Sequence, residues 1–297
     1  MDAMFEQTKI TLFDQFERTD ISPYVSSYDW LNKSKLPEAV AIRRTLECWF
    51  ADYPNRGREE EKRRKKENLR RRFNSGAEND FCSAFFELYF HELLRGLGCG
   101  VDVEIPASGV RTSTDFLVKA PCCETFYLEA TAIISPKELA RNKEWQAILD
   151  RVEGGGSRDG VVQPWFVGAG APVCVPVRGD DGPITRKLKK KSLSRYGNLG
   201  QPYIVAVDMI TGIKDTDVKR ALDRRFSEKQ KHEGTSGIIV GAGISPWCYN
   251  NLRLYYNPFA KYLCPSFLGI LPHCVRDKGQ WIRKDGELPS KFLRILA

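Results

Sequence analysis

Apolar positions in this chain follow a helical period up to about residue 97, and strand-like runs alternate with helical patterns after it. Leu36 to Phe50 (LPEAVAIRRTLECWF) sets Val40, Ile42, Leu46, Trp49 and Phe50 near one face of a helix, and Pro54 and Gly57 break it. Arg58 to Phe73 (REEEKRRKKENLRRRF) continues as a charged helix in which Glu59 and Glu60 can pair with Arg63. Its pattern fits a solvated helix as well as one that contacts phosphates. Asn79 to Leu97 is the strongest helix, with Asn79 or Asp80 as its cap and Gly98 and Gly100 at its end. Glu87 lies in it between Phe85, Phe86, Leu88 and Tyr89, where a carboxylate is costly to bury unless something pairs with it.

Val101 to Ile105 alternates like a strand. Thr114 to Val118 and Thr125 to Ile134 are β-rich, and the turn Pro121 to Glu124 joins them in a hairpin. Pro136 to Val152 predicts a helix that ends at Gly154, Gly155 and Gly156. Residues 153–182 are rich in Gly and Pro, with a short strand near Trp165 to Val167. Ile184 to Tyr196 predicts a very basic helix, Tyr203 to Val207 a buried strand, Asp215 to Lys231 a charged helix and Ile238 to Val240 a further strand. The remainder reads as irregular chain that packs down through Leu254, Tyr255, Tyr256 and Phe267.

The expected fold is therefore α/β, with a mixed central sheet flanked by helices. Residues 1–75 form a helical N-terminal extension, and residues 76–297 form one domain with an insertion at 153–182. A chain of 297 residues, 42% hydrophobic, can bury a core of that size. No apolar stretch reaches the length of a membrane span, and the opening MDAMFEQTKI has no apolar signal region, so a cytoplasmic protein without a membrane partner is expected. The nine cysteines are odd in number and irregularly spaced, which predicts reduced thiols. The adjacent Cys122 and Cys123 are wrongly spaced for a zinc knuckle. A net charge of +8 favours a polyanionic partner, nucleic acid first.

Three acids then take on meaning. Glu87 is on the strongest helix, Asp115 opens the second strand and Glu129 lies inside the third. Adjacent strands can bring Asp115 and Glu129 to one point, and Thr131 shares the Glu129 face. Converging carboxylates repel one another, and a hard divalent cation relieves that repulsion.

The segments "FFELYFHELLRGLG", "TDFLV" and "FYLEAT" resemble the PD-(D/E)XK, or restriction-endonuclease-like, nuclease superfamily. They are more similar still to a bacterial branch of it with E-x-T in place of E-x-K. That likeness extends through Tyr196-Gly197, Pro202 to Asp208 and Asn257 to Ala260. The resemblance implies DNA cleavage with Mg²⁺ or Mn²⁺, DNA being favoured over RNA, and by analogy a role in bacterial defence. It implies that Asp115, Glu129 and the Ala130 carbonyl hold the metal, and that Glu87 holds a second metal or its water. Thr131 stands where the superfamily has a lysine, so the positive charge must come from elsewhere. Lys191 is the first candidate and Lys137 the second. Lys187, Lys190, Lys191 and Arg195 would contact phosphates, and Lys187, Lys191 and Arg195 share one helix face. A homodimer, or a place in a larger complex, is compatible with this reading. The rivals are a non-catalytic nucleic-acid-binding module of the same fold and a structural or interaction protein whose acids form ordinary salt bridges.

Overall fold

The computed structural model describes residues 10–14, 26–106, 113–133, 199–209, 219, 234–242 and 252–287. Four helices come first: α1 (Ser27–Lys33), α2 (Pro37–Ala51), α3 (Glu59–Phe73) and α4 (Glu78–Gly96). The Ser26 hydroxyl caps α1 by accepting from the Asp29 N–H, and Pro37 starts α2 where a missing N–H costs nothing. Helix α3 opens on Glu59, Glu60 and Glu61 and closes on Arg70, Arg71 and Arg72, charges that complement the helix dipole at both ends. Helix α4 corrects the expected cap. Its N-cap is Ala77 with no side-chain bond, so Asn79 and Asp80 lie in the first turn, where Glu78 and Asp80 face the positive end of the dipole.

Eight strands follow and form one mixed sheet whose spatial order is the chain order. They are β1 (Gly100–Pro106), β2 (Ser113–Lys119), β3 (Thr125–Ile133), β4 (Tyr203–Met209), β5 (Gly237–Ala242), β6 (Leu252–Tyr256), β7 (His273–Asp277) and β8 (Gln280–Lys284). The first three form an antiparallel meander; β3, β4 and β5 are parallel; β6 is antiparallel to β5 and parallel to β7; β8 is antiparallel to β7. The expected hairpin is present, closed by Ala120 N–H to Glu124 O and Cys123 N–H to Ala120 O. Glu124 also accepts from the N–H groups of Ser266 and Phe267, tying this turn to the short 3-10 helix Ser266–Ile270.

Register separates the two faces of the sheet. Phe116, Val118, Phe126, Leu128, Ala130, Ala132, Ile204, Ala206, Ile239 and Leu254 belong to the core that α4 completes with Phe85, Phe86 and Phe90. That core continues into Ile42, Leu46 and Phe50 of α2 and Leu69 and Phe73 of α3, so helices on the N-terminal side share it. The opposite face carries Tyr203, Val205, Val207, Ile238 and Val240, also buried. Burial on both faces explains the unbroken apolar runs YIVAV and GIIV.

The stretch expected to be irregular instead contains β6, β7 and β8. Each is only five residues long, and β8 is mostly exposed, so neither length nor alternation announced them. Their pairing comes from neighbouring strands, which propensity does not encode. The expected helices 136–152, 184–196 and 215–231, the insertion 153–182 and the strand 165–167 lie outside the described residues, Lys219 apart. Among the described residues no helix is long and apolar enough to cross a membrane. Cys82, Cys99 and Cys274 are buried free thiols.

A shared core predicts shared unfolding. Leu69→Ala, on α3, should cost about 2–5 kcal/mol in urea denaturation. Helix and tertiary probes should report one coincident transition; two separated transitions would mean that the N-terminal helices form their own unit.

Candidate functional site: an acid pair at a parting of strands

The β2–β3 ladder runs from Lys119↔Thr125 to Phe116↔Leu128 and stops there, while β2 continues along β1 to Ser113. Extended by one residue, the same register sets Asp115 opposite Glu129. Directly opposed residues point to one face, so both carboxylates belong to the face of Leu117, Tyr127 and Thr131. Asp115 reaches across the opening, and its Oδ2 accepts from the Ala130 N–H at 2.8 Å. The Tyr127 N–H donates toward β4, to Pro202 O, so the odd residues of β3 present their backbone groups to β4. Ala130, being even, turns both N–H and C=O toward β2. Its carbonyl therefore faces the same opening as Asp115. Glu129 and Thr131 are buried, and Asp115 is half-buried.

Glu87 approaches this level from the α4 side. Ser83, Glu87 and His91 recur every four residues, forming one stripe. The Ser83 Oγ accepts from the Ala132 N–H at 3.4 Å, and the His91 ring lies 6.5 Å from that of Phe116, which is paired with Leu128. Eight helical residues rise about 12 Å and four strand residues about 13 Å, so Glu87 falls level with Ala130.

The partners of Glu87 differ from the expected metal. Its Oε1 accepts from the Tyr53 hydroxyl at 2.5 Å, and its Oε2 forms an ion pair with Arg72 Nη2. Only 2% of Glu87 is exposed, so this pairing is what makes the buried charge tolerable. Burial works against the Arg72 charge, and Glu87 outweighs it, with Tyr53 and Asp115 adding to the pull; the guanidinium is held firmly protonated. Burial and Glu87 together push the Tyr53 phenol well above its ordinary range, so it stays a donor. Among the described residues no group of three His, Cys, Asp or Glu side chains could hold a metal ion. Of the three acids expected to converge, Asp115 bonds the backbone N–H next to Glu129, while Glu87 is committed to Arg72 and Tyr53.

Reading the sequence missed Tyr53 and Arg72. Tyr53 was hidden beside the helix-breaking Pro54. Arg72 carried a signal: it falls seven residues after Lys65 and three after Leu69, inside the buried stripe of α3. Lys187, Lys190, Lys191, Arg195 and Lys137 lie outside the described residues.

His91 is fully buried against Tyr53, and its ring nitrogens have no hydrogen-bond partner among the described residues. Burial, with Arg95 adding to it, lowers its pKa to about 3. A depressed pKa contributes stability above the unfolded value of about 6.5 and loses it as pH falls toward 3. Between pH 7.5 and 5 the loss from His91 should be about 2 kcal/mol. His91→Phe should flatten that limb in urea titrations, and an unchanged limb would place the proton elsewhere.

The ion pair yields a second expectation. Arg72→Leu leaves Glu87 buried without its cation and should cost about 3 kcal/mol, whereas Arg72→Leu with Glu87→Leu should recover much of the loss in chemical denaturation. Compared with known proteins, the chain matches no family model, no curated protein and no solved structure.

Proposed function

We propose that this protein hydrolyses phosphodiester bonds of DNA with Mg²⁺ or Mn²⁺, on a restriction-endonuclease-like core. The observation that carries the reading is the bond from the Ala130 N–H to Asp115 Oδ2 where the β2–β3 ladder ends, which holds Asp115 beside the residue that follows Glu129. The element order supports it as well: α4, the antiparallel β1–β2–β3 meander, then β4 parallel to β3.

The donor set suits a hard cation: two carboxylates and a carbonyl, all oxygen, with room in the coordination shell for water and phosphate. Asp115, Glu129 and the Ala130 carbonyl would hold the metal, which would supply Lewis acidity toward the phosphoryl oxygens and a more acidic water. The bond from Ala130 N–H to Asp115 fixes the carboxylate before any ligand arrives. Glu129 is buried in its strand, which limits the room its side chain has to move. In this proposal Lys187, Lys190, Lys191 and Arg195 track the DNA backbone, and the overall charge of +8 draws the polyanion in.

One observation favours a second reading. Thr131 lies on the face of Asp115 and Glu129 and carries no charge, which suits a DNA-binding module that has no catalyst.

Asp115→Asn and Glu129→Gln should each slow Mn²⁺-dependent cleavage of linear duplex DNA by about 100-fold or more while DNA binding in EDTA persists. Replacing Lys187, Lys191 and Arg195 together by Ala should reduce the salt slope of binding by about 2 to 3. Binding without cleavage by the native chain, with cleavage gained in Thr131→Lys, would decide for the second reading.

A further inference from the structure

Helix α3 carries more charge than its packing uses. Between Lys62 and Arg72 stand eight Lys and Arg residues and one acid, Glu67, a net charge of +7 in eleven residues. Like charges four residues apart, as at Lys62, Lys66 and Arg70, oppose a helix. Leu69 and Phe73, both fully buried, hold the segment in place against that repulsion.

The fold sorts these cations by type. The three lysines are bonded back to the chain. Lys62 pairs with Glu59 at 2.8 Å, Lys65 Nζ donates to Val103 O at 2.5 Å, and Lys66 Nζ donates to Ala51 O at 2.7 Å above the Phe50 ring. Arg70 meets Asp14, and Arg72 meets Glu87. The exposed cations of Arg58 to Phe73 are then all arginines: Arg58, Arg63, Arg64 and Arg71. Arg64 and Arg71, seven residues apart, share a stripe on the side away from Leu69.

All four arginines line one open cleft of about 1230 Å³. Four glutamates line it too, and three of them have partners of their own. Glu61 pairs with Lys65, Glu67 with Arg70 at 3.9 Å, and Glu104 accepts from Asn68. Glu60 lies in the first turn of α3, where the helix dipole favours it. Glu104 also reaches Arg64, but at 3.8 Å, and that arginine side chain is 71% exposed. Water screens such a pair, so Arg64 can turn to a ligand. A guanidinium presents a planar fork of donors that matches phosphate oxygens. Arg63 to Arg71 covers about 12 Å of helix axis, and phosphates of one DNA strand recur about every 3.4 Å along the duplex.

We propose that the outer face of α3 is a second DNA-binding surface, on which Arg58, Arg63, Arg64 and Arg71 contact the phosphate backbone. The proposal takes from the nuclease reading only the kind of partner, and it stands whether or not a bond is cut.

The test uses the full chain and labelled linear duplex DNA, with binding followed in EDTA across a KCl series. Replacing the four arginines together by Gln should lower the salt slope by about three to four units. All four side chains are exposed, so melting temperatures should match that of the native chain. Arg64→Gln with Arg71→Gln, a milder change, should lower the slope by about two units. The four arginines replaced by Lys should keep the slope, since the charge remains, while affinity falls with loss of the fork. A control set removes the same charge elsewhere: Lys119, Lys261, Lys278 and Lys284, all exposed, replaced by Gln. It should leave the slope within about half a unit. A native slope in the arginine-to-Gln variants would overturn the proposal, and so would an equal loss in the control set, which would mean attraction by net charge alone. Cleavage in Mn²⁺ is read in parallel. A native chain that binds through α3 and does not cut leaves this surface standing and removes the nuclease reading. A native chain that cuts, with a slope that the arginines do not alter, removes this surface alone. A native chain that does not bind DNA overturns both.

Discussion

The arrangement depends on a buried ion pair. Glu87 is almost fully enclosed by the helices and the sheet, and a lone carboxylate there would be costly to keep charged. Arg72 and Tyr53 make it tolerable, and in doing so they bind three pieces of chain: the end of α3, the turn after α2, and the middle of α4. Because α4 lies on the sheet through Ser83 and His91, the pair fixes how the N-terminal helices sit over the parting of β2 and β3. A hydrophobic trio in its place could pack as well.

Above that pair, the site is made by an interruption. A regular antiparallel ladder would continue past Phe116↔Leu128, and Ala130 would bond to the backbone of β2. The carboxylate of Asp115 takes that N–H instead. On the other side of β2, Glu104 departs from strand geometry at the same level and turns its carboxylate to α3. Asp115 is thus built into the sheet at a place where its own hydrogen bonding gives way.

Much of this was legible in the residues. The spacing of Leu36 to Phe50 and of Asn79 to Leu97 gave α2 and α4 to within two residues, because a one-sided apolar face leaves a strong period. The hairpin turn at Pro121 to Glu124 set Asp115 and Glu129 on neighbouring strands, and strand parity then put Thr131 on the same face. Strands β6 to β8 were not legible, since five-residue strands draw their stability from partners. The partners of Glu87 were not legible either. A buried acid announces that something pairs with it, but not which residue, and Arg72 is one of nine Lys and Arg residues between 58 and 73. Packing of α3 against α4 selects it.

The central claim is that Asp115 and Glu129 together hold a divalent cation. Calorimetric titration of the native chain with Mn²⁺ and no DNA present tests it most directly, with Asp115→Asn and Glu129→Gln titrated in parallel. The account predicts a binding event in the native chain that either substitution abolishes, while melting temperatures show all three proteins folded. A native chain that takes up no Mn²⁺, or variants that bind it as the native chain does, would contradict it.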